Sequence, residues 1–145
     1  MIRTAYEQLA LLDSSAVIAL HDPGDQFHAD ALRFFSTTRD LDWGALNATT
    51  HECYTRVRYH GAFQQAIEHY EFMRKDAIRL LEFVSEDERQ AEDILRRYSD
   101  HQISFHDALC AAVMLRLGIY KIFSFDRHFR ILGFEVMPGL LAAGT

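Results

Sequence analysis

Short apolar runs alternate along the chain with longer segments in which apolar residues recur at helical spacing. The short runs predict strands at Leu9–Asp13, Leu41–Leu46, Ile78–Val84 and Ile119–Phe125, with a last edge strand at Phe134–Met137. The longer segments predict helices at Ser14–Leu20, Asp25–Thr38, Thr49–Tyr59, Ala62–Lys75, Ser85–Tyr98 and Ser104–Leu117. This alternation favours an α/β fold, here a three-layer α/β/α sandwich with a mainly parallel central sheet.

The length and the apolar content are those of one globular domain. With 145 residues, of which 49% are hydrophobic, we expect a single domain over residues 1–145. The most apolar N-terminal stretch, Leu9–Leu20, is interrupted by Asp13 and is too short for a membrane span. Cys53 and Cys110 stand among apolar neighbours, which predicts buried free thiols in a reducing compartment. We therefore expect a cytoplasmic protein that has no membrane partner.

Four acidic residues fall near the predicted ends of strands or the starts of helices. Asp13 and Asp126 each follow a strand, and Glu52 and Asp107 are predicted in the first turns of their helices. In open parallel sheets, ligands bind beyond the carboxyl ends of the strands. The sequence therefore predicts that the four carboxylates converge in one crevice.

Each acid taken alone also fits a purely structural role. Thr49-x-x-Glu52 and Ser104-x-x-Asp107 match the capping-box pattern, while Asp13 and Asp126 could each be a simple N-cap. Taken together, however, several carboxylates in apolar surroundings would repel one another unless a cation joined them. Mg²⁺ and Mn²⁺ prefer such oxygen ligands, and the matching chemistry is phosphodiester hydrolysis. We therefore expect these four acids to be both metal ligands and catalytic residues.

Hydroxyl and basic side chains lie close to these acids in the sequence. Ser15 and Ser124 stand two residues from Asp13 and Asp126, where they could hold a ligand carboxylate or be ordinary strand-end hydroxyls. Arg56 shares a helical face with Glu52, and Arg127 follows Asp126; either could bind substrate phosphate or pair with an acid. The formal net charge of −6 argues against a plain basic nucleic-acid-binding surface, so RNA binding would depend on cations and arginines at the site.

The histidines have more ordinary interpretations. His51 and His106 each precede a candidate acid, but adjacent helical residues point in different directions, so we expect packing or surface roles for both. His128 is predicted near the mouth of the crevice, where either RNA contact or half-buried packing would suit it.

Several segments together resemble a known family. Leu11-Leu-Asp-Ser-Ser-Ala-Val-Ile-Ala-Leu20 and Phe123-Ser-Phe-Asp-Arg-His-Phe129 resemble the first and fourth motifs of PIN-domain nucleases. Thr50-His-Glu-Cys-Tyr54 and Ser104-Phe-His-Asp-Ala-Leu109 are similar to the second and third, and Met1–Gln8 lies outside the resemblance. The match most resembles the VapC-type toxins of toxin–antitoxin pairs. It implies a PIN-like fold, a Mg²⁺- or Mn²⁺-dependent endoribonuclease, homodimerisation, and an antitoxin that packs near the active site.

Other functions remain open at the level of sequence. The doublet His106-Asp107 also occurs in His-Asp metallophosphohydrolases that act on small phosphate esters, although those sites normally lie in all-helical bundles. A non-catalytic PIN-like protein-binding module would have no reason to keep four acids. A phospho-accepting receiver domain would need a lysine near the site, and Lys121 is predicted inside a strand.

Overall fold

The computed structural model describes residues 6–138, and this part of the chain contains one five-stranded parallel sheet between helices. The strands are β1 Leu9–Leu12, β2 Asp42–Leu46, β3 Ile78–Leu81, β4 Lys121–Phe123 and β5 Glu135–Met137. The helices are α1 Ser14–His21, α2 His28–Thr37, α3 Asn47–His60, α4 Phe63–Met73, α5 Ser85–Arg97, α6 Phe105–Leu117 and α7 His128–Ile131. The predicted α/β fold is confirmed. Residues 1–5 and 139–145 of the expected single domain, and with them most of Met1–Gln8, lie outside the described residues.

The two faces of β1 bury different hydrophobic clusters. Leu9 and Leu11 pack in a cluster with α5 and α6 on one face of the sheet. Ala10 and Leu12 belong to a second cluster, formed with α1 to α4 on the opposite face. Because successive strand residues point to opposite faces, a continuous apolar run such as 9–12 is what a strand covered on both faces requires. The expected three layers follow from this burial.

The strand order in the sheet is β3-β2-β1-β4-β5, so the chain adds strands first on one side of β1 and then on the other. The chain proceeds from β1 through β2 to β3 on one side, and β4 and β5 are added on the other. Leu12 is the register partner of Phe123, so the residues that follow β1 and β4 emerge side by side. This is a topological switch point, the place where open α/β sheets bind ligands.

The observed ends of several helices and strands differ by a few residues from the predicted ends. The second helix begins at His28 rather than Asp25, because the Asp25 carboxylate accepts a hydrogen bond from the Phe27 N–H in a turn. The predicted strand at Ile78–Val84 ends at Leu81, since β2 ends at its register partner Leu46. Gly118 ends α6 as predicted, with a positive φ of 73° that favours glycine.

The two cysteines and the lengths of the helices bear on two further expectations. Cys53 and Cys110 are buried free cysteines, as predicted. Among residues 6–138, no helix has the length and apolar character needed to cross a bilayer.

An ion pair between a buried carboxylate and a partly exposed guanidinium joins α5 to α6 in the layer away from the first four helices. Arg116, in the last turn of α6, donates from Nε and Nη2 to the two carboxylate oxygens of Asp87 at 2.8 and 2.9 Å. The side chain of Asp87 is only 2% exposed, and it also accepts a hydrogen bond from the Val84 N–H at 2.8 Å. Loss of Arg116 would leave a buried carboxylate without its cation, whereas loss of Asp87 would leave an arginine that water can reach.

We expect Asp87→Ala to lower the free energy of unfolding by about 1–2 kcal/mol, because the two hydrogen bonds from Arg116 and the hydrogen bond from the Val84 N–H at the start of α5 are all lost. Urea denaturation measures the effect. Glu92→Ala is the matched control on the same helix, since the Glu92–Arg96 pair is largely exposed and its loss should cost much less. Equal losses in the two variants would contradict a special role for Asp87.

Candidate active site

An open cavity of about 630 Å³ lies at the carboxyl edge of the sheet. All four acids predicted from the sequence line it, namely Asp13, Glu52, Asp107 and Asp126. Ser15, Arg56, Arg127 and His128 line the same cavity. Side chains that are remote in sequence are therefore brought together by the switch point between β1 and β4.

Asp13 is the most buried of the four acids and lies directly after β1. Its side chain is an N-cap, since Oδ1 accepts a hydrogen bond from the Ala16 N–H at 3.0 Å. The same oxygen accepts from Ser15 Oγ at 2.7 Å, and Oδ2 accepts from Ser124 Oγ at 2.5 Å. Asp13 thus caps α1 and faces the cavity at the same time, so the two interpretations of this residue are compatible.

The two serines hold Asp13 and the segment after β4 in one hydrogen-bonded network. Ser15 Oγ accepts from the Phe125 N–H at 3.0 Å, and Ser124 Oγ accepts from the Asp126 N–H at 2.9 Å. Each serine therefore donates to the carboxylate of Asp13 while it accepts from the backbone beyond β4. Because both hydroxyls have two partners, the orientation of Asp13 is well defined.

Burial of Asp13 makes its ionised form costly. The loss of hydration raises the pKa of Asp13 from 3.8 to about 6. Hydrogen bonds from Ser124, Ser15 and the Ala16 N–H oppose this rise only in part, and the nearby charge of Asp107 adds to it. A cation in the cavity would favour the ionised carboxylate.

The position of Glu52 differs from the sequence prediction. Its helix begins at Asn47, directly after β2, so Glu52 lies in the second turn and not in the first. Thr49 is therefore inside the helix and does not cap it; it is fully buried, and its Oγ1 lies 2.7 Å from His106 Nε2. The capping-box interpretation of Thr49-x-x-Glu52 is wrong because the strand leads into the helix without a loop.

His106 lies between two of the acids, a position that the sequence analysis missed. Its Nδ1 is 3.0 Å from Glu52 Oε2 and 3.2 Å from Asp107 Oδ1. Burial disfavours a charged imidazole, but the contacts with Asp107, Cys110 and Glu52 outweigh it and raise the pKa of His106. The expected packing role of His106 is thus replaced by an ion pair across α3 and α6. Only the packing of those helices places Glu52 opposite this ring, so no local sequence signal indicates it.

Asp107 and Asp126 lie next to each other in the cavity, with one carboxylate oxygen of each within 4.8 Å of the other. Ser104 Oγ caps α6 by accepting from the Asp107 N–H at 3.1 Å, which is half of the predicted capping box. The carboxylate of Asp107 instead contacts His106. Burial and the proximity of Asp126 raise the pKa of Asp107. Asp126 Oδ1 accepts from the His128 N–H at 2.9 Å, so it too combines a local turn with a place in the cavity.

The donor set suits a divalent cation. One ligand atom from each of Asp107, Asp126 and His128 lies within 4.8 Å of the other two. Glu52 lines the same cavity, but its buried Oε2 lies against His106 Nδ1 and is not one of these three ligand atoms. Carboxylate oxygens that lie this close together are suitable ligands for an oxygen-preferring ion such as Mg²⁺ or Mn²⁺.

The two arginines predicted near the site have different surroundings. Arg56 reaches the cavity from α3, and its Nη1 donates to Ser14 Oγ at 2.8 Å. Arg127 lines the cavity from the turn before α7. Both residues line the cavity that contains the acids, where a phosphate group would need a cationic partner.

Comparison with known proteins identifies the family of this site. The chain matches the family model of the PIN domain over residues 10–135. It is 28% identical over 131 residues to the 23S rRNA-specific endonuclease VapC20 of Mycobacterium tuberculosis, covering 90% of this chain and 99% of that protein.

Solved structures show the same fold. The crystal structure of Mycobacterium tuberculosis VapC20, described as a Sarcin-Ricin loop cleaving toxin, has a TM-score of 0.80 and 25% identity, and the match covers 87% of this chain and 95% of that one. VapBC2 from Rickettsia felis, bound to a DNA fragment from its promoter, has a TM-score of 0.64 and 10% identity, covering 88% and 96% of the two chains. At 10% identity, the similarity to VapBC2 supports the fold assignment alone.

The raised pKa of Asp13 makes a prediction about stability without metal. Its pKa is higher in the folded than in the unfolded chain, so the unfolded chain loses this proton first and the stability of the wild type falls as the pH rises from about 3.8 to about 6. Asp13→Asn has no ionisable group at this position. The variant should therefore gain stability relative to wild type as the pH rises from about 3.5 to about 7, by roughly 2–3 kcal/mol.

Urea denaturation in EDTA at several pH values measures this difference. Asp93→Asn, at an exposed position of α5, is the control and should follow the wild type at every pH. A constant difference between Asp13→Asn and wild type over the whole range would show that Asp13 is not an energetically costly carboxylate.

Proposed function

This chain belongs to the PIN-domain family, and from the geometry of its cavity we propose that it is a metal-dependent endoribonuclease and the toxin of a toxin–antitoxin pair. The observation that carries the proposal is the meeting of four carboxylates from separate elements at the switch point of the sheet. The proposed metal ligands and catalytic residues are Asp13, Glu52, Asp107 and Asp126.

The proposed reaction is attack of a water oxygen on a phosphorus atom of RNA, with cleavage of one P–O bond to the leaving oxygen. A bound Mg²⁺ or Mn²⁺ would lower the pKa of the attacking water and stabilise charge on the phosphate. Asp13 is oriented for ligation by Ser15 and Ser124, which fix both of its oxygens. We assign Ser15 and Ser124 as positioning residues, because they act through Asp13 and the backbone after β4.

The substrate side of the cavity is assigned to its arginines. Arg56 and Arg127 supply positive charge next to the acids, and we propose that they bind phosphates of the RNA that flank the cut. In this proposal the two arginines provide local positive charge for RNA phosphates, although the chain as a whole has a formal net charge of −6. Because VapC20 is described as specific for 23S rRNA, ribosomal RNA is the first substrate to test.

Two alternative functions conflict with the fold. His-Asp metallophosphohydrolases normally have helical bundles, whereas this site is built on a five-stranded sheet. A receiver domain would require a lysine at the acids, but Lys121 begins β4, two residues before the strand reaches its carboxyl end. A non-catalytic binding module would fit the same fold, and the absence of RNA cleavage by the pure protein would favour it.

The proposed partners are an antitoxin and a second copy of the chain. Both are proposed from family membership and from the description of VapC20 as a toxin. Exposed aromatic residues such as Tyr59, which is 81% exposed near the end of α3, leave apolar surface available for a partner. Light scattering over a range of protein concentrations would establish whether the chain is a dimer.

We expect Asp13→Asn to reduce cleavage of total RNA at least about a hundredfold in the presence of Mn²⁺, because it removes a charged ligand from the site. Mapping the RNA ends by sequencing gives both the rate and the cut position. Asp93→Asn should cleave like wild type. Cleavage by the wild type that persists in EDTA would overturn the metal-dependent mechanism.

Arg56→Ala should weaken RNA binding about tenfold and reduce the salt dependence of binding by about one charge, because a phosphate contact is lost. Binding of a non-cleaved RNA to the Asp13→Asn background, measured at several salt concentrations, tests this. Arg58→Ala is the matched control, since Arg58 is exposed on the same helix and does not line the cavity. Equal effects of the two substitutions would refute a specific role for Arg56.

A further inference from the structure

His128 lines the acidic cavity beside Asp126. It is the first residue of α7, two positions after Asp126, and its side chain is 28% exposed. Its backbone N–H donates to Asp126 Oδ1 at 2.9 Å. The ring atom Nδ1 lies 3.1 Å from the same oxygen, but it is buried and, among residues 6–138, has no partner in hydrogen-bond geometry. A buried ring nitrogen at the edge of an acidic cavity is therefore available to a ligand.

The surroundings of this ring match those of a metal ligand. One ring nitrogen of His128 and one oxygen from each of Asp107 and Asp126 all lie within 4.8 Å of one another. Ligand atoms at roughly 2.1–2.2 Å from one ion are separated by about 3 Å when adjacent and about 4.3 Å when opposite. Small side-chain rotations would thus let all three atoms contact the same cation.

The other histidine of the site is already engaged on both sides of its ring. His106 Nε2 contacts Thr49 Oγ1 at 2.7 Å, and Nδ1 lies between Glu52 and Asp107. The two histidines therefore differ, since His106 links three protein side chains, whereas His128 Nδ1 contacts only Asp126, another member of the same ligand group, among the described residues.

We propose that His128 is a nitrogen ligand of the metal site and that it makes the site prefer Mn²⁺, a first-row transition ion, to Mg²⁺. The proposal rests on the metal-dependent function proposed above, but it concerns a residue and a selectivity outside the four-carboxylate set. Mg²⁺ is a hard ion that favours oxygen ligands in near-ideal octahedral geometry, whereas imidazole is a ligand of transition ions. One nitrogen among carboxylates therefore shifts the balance between the two ions.

Calorimetric titration with Mn²⁺ and with Mg²⁺ measures this balance on the full chain. His128→Ala should weaken Mn²⁺ binding about tenfold or more and leave Mg²⁺ binding much less changed. His128→Asp restores a ligand but supplies oxygen, so it should bind Mg²⁺ at least as well as the wild type and lose the preference for Mn²⁺. His60→Ala is the control, since His60 is exposed at the end of α3 and away from the cavity.

Pulsed electron paramagnetic resonance of bound Mn²⁺ gives a direct readout that does not depend on activity. The wild type and His60→Ala should show coupling of the ion to a ¹⁴N nucleus, and His128→Ala and His128→Asp should lose it. Because the wild-type spectrum alone can show that no nitrogen is bound, the test stands even if His128→Ala does not fold.

The outcomes separate this proposal from the proposed function. Mn²⁺ binding without ¹⁴N coupling, or coupling that survives in His128→Asp, overturns the role of His128 and leaves a metal-dependent nuclease intact. Wild-type protein that binds neither ion, and that still cleaves RNA in EDTA, overturns the metal dependence itself. Mn²⁺ and Mg²⁺ affinities that change in parallel in His128→Asp would contradict the proposed selectivity.

Discussion

The hydrogen bonds around the buried carboxylate of Asp13 are the interaction on which the site depends. Ser15 and Ser124 donate to its two oxygens, and both hydroxyls also accept from backbone N–H groups beyond β4. The start of α1 and the segment that carries Asp126 are therefore held to each other through one side chain. Because Asp13 is only 2% exposed, this network also determines where negative charge lies at the floor of the cavity.

Bringing the four carboxylates together costs free energy, and neighbouring groups at the site offset part of that cost. Burial raises the pKa of Asp13 and of Asp107, which means that their ionised forms are disfavoured in the metal-free fold. His106 lies between Glu52 and Asp107, and its raised pKa favours the charged imidazole beside them. Asp107, Asp126 and His128 bring ligand atoms to one place in the cavity, where a cation would offset the remaining negative charge. The stability of the fold and its capacity to bind metal are thus coupled through these acids.

Sequence reasoning succeeded where a local pattern determines position. Asp13 and Asp126 follow strands, and parallel strands bring their carboxyl ends to one edge, so the convergence of these two acids could be foreseen. The start of α3 and the capping role of Glu52 were wrong, because nothing in the Leu46–Thr49 segment indicates that β2 leads directly into a helix, although Glu52 lines the cavity as predicted. The apparent capping box there was a coincidence of spacing, and Thr49 is buried against His106 instead.

The amino-acid sequence by itself determined the layers, the parallel sheet and the edge at which the acids gather. Continuous apolar runs indicate strands that are buried on both faces, and the alternation of strands with helices indicates that the strands are parallel. The tertiary structure decided which side chains meet: His106 between Glu52 and Asp107, and the ring nitrogen of His128 beside Asp107 and Asp126. Such contacts depend on how helices distant in sequence rotate and pack against one sheet. A difference of one residue in the start of α3 would turn Glu52 by about 100° and remove it from the cavity.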